Sequence, residues 1–262
     1  MNKFFGLIAL FGGIICTNPI LSAVPEINLN PTAFQDAQQI INRSITYAKN
    51  HDAFSNLFFT EHEEEYARLV KEGQSPRTLF IGCSDSRVTP EFIASAKPGD
   101  FFVVRNAGNF VPFYDTNIAW DGVAASIEYA VQVIGVKDVI VCGHSHCGAI
   151  QAMFGDQSKL TQDLPIAKKW LQFGEQAKKN ALTSLGPDAS KAELCSSAER
   201  LSVIFQLEHL LTYPFIKKAV EEKRLYLHGW HFNIEKGELT YFNPQTYVFT
   251  PLKGLLTSAV SK

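Results

Sequence analysis

The run "DVIVCGHSHCGAI", residues 138–150, decides the fold. It opens as a continuous apolar, β-branched stretch, meets glycine at Gly143, and places two histidines and a second cysteine in the turn that follows. An uninterrupted apolar run of this length reads as a strand buried on both faces. Working outward, "TLFIGC" (78–83), "FFVVRN" (101–106) and "LYLHGWHF" (225–232) have the same character. Helical patterns separate them at 119–134, 162–180, 191–212 and 214–223. Strands alternating with helices predict an α/β fold with a mainly parallel central sheet and helices on both faces. "EKG" (235–237) reads as a hairpin turn into "ELTYFN", an antiparallel edge strand. Residues 32–50 and 60–73 predict an N-terminal helical arm, and 183–194 reads as a surface loop.

The chain has 262 residues, 46% of them hydrophobic, enough for one large domain or two small ones. The formal net charge of −2 gives no reason to expect nucleic acid or an anionic membrane surface as partner. The start differs from the rest. "MNK" is followed by the apolar run "FFGLIALFGGIIC" and then by "TNPILSA". This is the layout of a signal peptide over residues 1–23, cleaved after Ala23, which predicts export, to the periplasm in a Gram-negative host, and no stable membrane insertion afterwards. The alternatives are an uncleaved anchor and a lipid on Cys16; the run is short for a membrane span. The mature chain, 24–262, then reads as a single domain with 24–70 as the arm. Its four cysteines, Cys83, Cys142, Cys147 and Cys195, raise the question of disulfides, as expected in an exported chain.

Spacing suggests a different use. Ligands of such sheets gather beyond the carboxyl ends of the strands. Cys83 ends the first strand and His144 the third, with Cys147 three residues on. Two thiolates and an imidazole suit zinc and leave a fourth position open. His146 rivals His144, and the plainer alternative makes Cys142 and Cys147 buried core thiols. "CSDSR" adds Asp85 and Arg87 at two-residue intervals after Cys83. A carboxylate there can close the metal site or orient a water, and a bidentate pair with Arg87 would hold it off the metal.

"CSDSRVTP", "KPGDFFVVRNAGNFV", "IEYAVQVIGVKDVIVCGHSHCGA" and "LHGWHFNIEKGEL" resemble the β-class carbonic anhydrases, from about residue 72 to about 243. The resemblance implies a zinc lyase interconverting carbon dioxide and bicarbonate, working as a homodimer or a higher assembly of dimers, with the arm helices wrapping a neighbouring subunit. It implies one Zn2+ per chain on Cys83, His144 and Cys147, and a catalytic dyad of Asp85 and Arg87 that orients a zinc-bound hydroxide. One site type in the family closes on its Asp and uses a Trp three residues before the first Cys; Phe80 stands there. The plant-like open type orders substrate with Gln, Phe and Tyr, matched by Gln74, Phe102 and Tyr129 with one inserted residue between the last two. The Gly148 N–H is a further candidate for holding substrate oxygens. Departures are Gly82 for the more usual Ala, Val133 where some members have His, and His146 between Ser145 and Cys147. The alternative function is a non-catalytic zinc or thiol-binding protein retaining the fold. The presence of both Asp85 and Arg87 argues against it.

Overall fold

The computed structural model describes residues 36–117 and 121–259. The signal-peptide segment, 1–23, lies outside the described residues. Four strands form where the apolar runs stand: β1 (Thr78–Cys83), β2 (Phe101–Asn106), β3 (Asp138–His144) and β4 (Tyr226–Asn233). They are parallel, in the order β2-β1-β3-β4. The sheet continues antiparallel through β5 (Glu238–Asn243) to β6 (Val248–Pro251). The hairpin strand β5 is therefore interior, and the antiparallel edge is β6, an element absent from the sequence reading.

The chain divides into two compact units at Glu63/Glu64. In the first, α1 (Ala37–Ala53) is N-capped by Asp36 and is followed by a π-helical turn, Phe54–Phe59; the division falls within α2 (Thr60–Glu72). Ile40, Ile41, Ile45 and Leu57 of this unit are exposed.

In the second unit, α3 (Pro90–Ala94) follows β1, and α4 (Gly122–Glu128) follows β2 and passes into a π-helical turn, Tyr129–Ile134. After β3 come α5 (Gly148–Met153), α6 (Gln157–Asp163), α7 (Pro165–Leu171), α8 (Glu175–Leu185), α9 (Lys191–Leu210) and α10 (Pro214–Glu221); α11 (Gly254–Ala259) closes the described chain. The helix expected over 162–180 is thus three pieces. Pro165 has no N–H to continue a helix and instead starts α7. A 3-10 turn at Gln172–Gly174 makes the second break. The expected loop at 183–194 shrinks, because Ser190 and Glu193 form a capping box that starts α9.

One sheet face carries the main core: Leu79, Ile81, Val139 and Val141, against Val203 and Leu210 of α9. α9 lies across β3 and β4. It comes this close because two strand positions lack a side chain. A Cβ at Gly143 would lie 2.7 Å from Val203 Cγ2, and one at Gly229 3.0 Å from Val203 Cγ1. Phe80, Ile140 and Cys142 pack together on the opposite face. No described helix is long and apolar enough to cross a membrane.

Candidate metal centre

The strand ends deliver the ligands. β1 and β3 pair in parallel with Gly82 opposite Cys142, so Cys83 and His144 emerge from the same end of neighbouring strands. Cys147 stands immediately before α5. The ligand atoms of Cys83, His144 and Cys147 all lie within 4.8 Å of one another, and all three residues are buried. No fourth His, Cys, Asp or Glu joins them among the described residues. A tetrahedral zinc with Zn–S of about 2.3 Å would need its sulfurs about 3.8 Å apart, so little movement is required.

His144 fits the same purpose. Its Nδ1 lies 2.9 Å from the Ser145 carbonyl oxygen, which can only accept. Nδ1 therefore carries a proton, and Nε2 is the ring atom left for the neighbouring Cys83 sulfur or a metal. That Nε2 is buried and has no hydrogen-bond partner. A buried polar atom without a partner is unfavourable unless something else engages it. A metal ion would do so, and the Ser145 carbonyl behind the ring is the kind of outer partner that orients a metal-bound histidine.

The thiols are poised unequally. Cys83 is pushed well down, first by the Cys147 thiol directed at it and also by the Gly108 N–H, 3.4 Å from its sulfur. Cys147 is correspondingly pushed up by Cys83 and by burial. Cys142 takes no part. It is fully buried beside Phe80 and Ile140, and burial, with the nearby Cys83, raises its thiol to about 12. None of the four described cysteines is disulfide-bonded. His146, the rival ligand, points elsewhere: its backbone is left-handed (φ 59°), its ring is half exposed, and its Nε2 lies 3.1 Å from Glu235 Oε1.

Asp85 and Arg87 form the bidentate pair. Arg87 Nε donates to Oδ1 at 2.9 Å and Nη2 to Oδ2 at 2.7 Å, and the Arg87 backbone N–H adds a bond to Oδ1 at 3.0 Å. The guanidinium bonds hold the Asp85 carboxyl well below the usual carboxylate range. Arg105, which the sequence reading did not single out, secures the turn from below. Its Nε donates to the Cys83 carbonyl at 2.9 Å and its Nη2 to the Asp85 carbonyl at 2.7 Å. The loop that brings the Gly108 N–H to the Cys83 sulfur is held by Asn106, whose side chain bonds both the N–H and the C=O of Phe110. A charge and an amide ending an otherwise apolar strand, "VVRN", were the available signal.

The substrate candidates divide. Gly148 adjoins Cys147, and a Cβ there would meet nothing within 4 Å, so space beside the cluster is open. Phe110, Ile150 and Met153 join Cys83 and Cys147 in one buried apolar cluster. Phe102 is not part of that cluster. It pairs in register with Leu79, four residues before Cys83, or about 13 Å back along the strand at about 3.3 Å per residue. Tyr129 stays with Phe102, ring centroids 6.0 Å apart, and is 47% exposed. Gln74 is exposed ahead of β1, at that same far end. Within one chain these three do not line the cluster. Phe80 stacks on Phe101 at 5.4 Å and meets Trp230 edge-on at 6.2 Å.

A profile described as carbonic anhydrase matches residues 78–239. A carbonic anhydrase of Pseudomonas aeruginosa is 46% identical over 63% of this chain and 73% of its own length. Carbonic anhydrase 1 of Escherichia coli O157:H7 is 40% identical over 76% and 88%. Among solved structures, the β-carbonic anhydrase CcaA superposes with a TM-score of 0.74 at 34% identity, over 80% of this chain and 92% of that one. A structure from work on two tetrameric β-carbonic anhydrases of Sordaria macrospora gives 0.66 at 29% identity, over 80% and 99%. The fold, the buried Cys83–His144–Cys147 cluster and these relatives agree, and the chain belongs to the β-class carbonic anhydrases.

Proposed function

We propose that the chain hydrates carbon dioxide reversibly to bicarbonate and a proton, with one zinc ion held by Cys83, His144 and Cys147. The buried, unpartnered Nε2 of His144 beside two thiols carries the metal assignment. Zinc, when bound, supplies a Lewis acid that makes water a nucleophile near neutral pH. Asp85 would accept a hydrogen bond from that nucleophile and orient it, with Arg87 keeping the carboxylate in place. The bidentate pair favours the open form of the site, with Asp85 off the metal. The apolar cluster of Phe110, Ile150 and Met153 suits a small neutral substrate, and the Gly148 N–H is the candidate for holding a product oxygen. Stopped-flow hydration of carbon dioxide by the metal-counted chain tests this; a zinc-loaded chain without activity would leave only the non-catalytic alternative.

The same reading includes a homodimer or a higher assembly of dimers. Phe102 on β2, with Tyr129 beside it and Gln74 ahead of β1, lies at the end of the sheet away from its own cluster, and a two-fold axis that brings this end against a partner's strand ends would supply them in exchange. Complementation measures this. A Cys83→Ser chain and a Phe102→Ala/Tyr129→Ala chain, each impaired, should together recover part of the activity. Mixed assemblies that recover none would show that each site is built from one chain. Export with a mature start at Val24 belongs to the same proposal.

A further inference from the structure

Glu199 and His231 are among the buried ionisable side chains with no part in the reading above. Glu199, on the buried face of α9, is 4% exposed, and His231, on β4, is 1% exposed. A carboxylate is among the least favourable groups to bury, so its partners indicate its use. Glu199 Oε1 accepts the Cys147 backbone N–H at 3.1 Å. Oε2 faces His231 Nε2 at 3.8 Å, longer than a hydrogen bond, and that Nε2 has no other partner.

The Cys147 amide needs such an acceptor. It precedes α5, so it has no intrahelical partner. It follows His146, whose left-handed backbone sets the direction in which the chain re-enters the site. The other end of the same peptide unit is also held: the His146 carbonyl accepts from Arg87 Nη2 at 3.2 Å. A peptide is planar, so fixing its C=O and its N–H fixes its plane. That plane sets where Cα of Cys147, and hence its sulfur, can lie.

We propose that Glu199 is a positioning residue that acts through Cys147. It holds the His146–Cys147 peptide opposite Arg87 and so directs the Cys147 sulfur toward Cys83 and His144, while His231 confines its second oxygen from β4. The consequence for metal retention rests on the zinc reading; the geometric role does not.

The test uses the full chain and three substitutions. Glu199→Gln keeps an acceptor oxygen at the same reach, Glu199→Ala removes it, and Glu199→Asp keeps the charge but withdraws the oxygen by one methylene. Amide exchange at Cys147 in the metal-free protein should be near wild type in Gln and at least about tenfold faster in Ala and Asp. Zinc release to a chelator should follow the same order, about 10–100-fold faster in Ala and Asp, the range for loss of an outer partner of a metal ligand. The thiolate-to-cobalt absorption of the cobalt-substituted protein should change in Ala and Asp and not in Gln. A folded Ala or Asp variant with unchanged exchange, release and absorption overturns the proposal. A Gln variant as damaged as Ala also overturns it, because charge rather than position would then be the cause. If Ala does not fold, Asp decides alone. If the wild type takes up no zinc, the zinc reading fails while exchange in the metal-free protein still decides the positioning role.

Discussion

Gly143, one residue before His144, is the point where helix packing and ligand placement meet, so Gly143→Ala is the most informative perturbation of the scaffold. Its backbone is ordinary strand, so the substitution acts through space alone. The added Cβ would stand 2.7 Å from Val203 Cγ2 and 3.3 Å from the Glu199 backbone oxygen. Carbon contacts are optimal near about 3.5–4.0 Å, so the overlap approaches about 1 Å. Val203 cannot yield easily, since it is fully buried and its other methyl faces Gly229. α9 must therefore move outward. Overpacking of this kind costs about 1–3 kcal/mol, or roughly 2–12 °C in Tm for a domain of this size. Val203→Ala removes two methyl groups and should cost about 2 kcal/mol. In the double variant the methyl added at Gly143 sits in the space Val203 has left. Its loss should stay near about 2 kcal/mol, below the sum of the single losses by about 1–3 kcal/mol. Urea unfolding at fixed protein and zinc concentration measures the cycle. Additive losses, or a Gly143→Ala chain within about 0.5 kcal/mol of wild type, would refute the packing argument.

Cys83→Ser, His144→Ala and Cys147→Ser should each lose zinc and activity together, whereas His146→Ala and Cys142→Ser keep one zinc per chain; metal analysis of the purified variants decides, and loss in His146→Ala without loss in His144→Ala reverses the ligand assignment. Arg87→Ala should lower hydration per bound zinc by about 10²–10⁴-fold, the range for a positioned acid–base group; activity per zinc near wild type would count against the dyad. Because Arg87 depresses the Asp85 carboxyl, the pair's contribution is fully present above the unfolded value of about 3.9 and is lost only as pH falls through the lower folded value. An NMR midpoint for Asp85 at or above about 3.9 would contradict this. Exported protein should have the intact mass of a chain starting at Val24, and a chain starting at Met1 would rule out cleavage.

The parallel sheet and the meeting of Cys83 with His144 were legible because each followed from one local physical rule. Uninterrupted β-branched runs bury on both faces, and a parallel sheet brings its carboxyl ends together, so Cys83 could be expected to meet His144 despite their distance along the chain. What was not legible depended on partners distant in sequence. Glu199 looks like one charge in the exposed-looking "SSAERLS", yet it lies on the inner face of α9, which also buries Ser202, Gln206 and His209. Gln206 and His209 bond the backbone of Val111 at 2.8 and 2.7 Å, so the inner stripe of this helix is partly polar and its periodicity is blurred. Arg105 was hidden for the same reason: its role lies in two carbonyl oxygens, and backbone acceptors leave no trace in side-chain pattern. β6 is short and lies at the edge, where one unburied face leaves little apolar signal. The remoteness of Phe102 from its own cluster was implicit in the sequence. Four residues of strand separate Leu79, its register partner, from Cys83, and a strand cannot be shortened. Position along a parallel strand is therefore itself a statement about assembly. On the assembly proposed above, Phe102 at the beginning of its strand would serve the strand-end site of another copy of the chain.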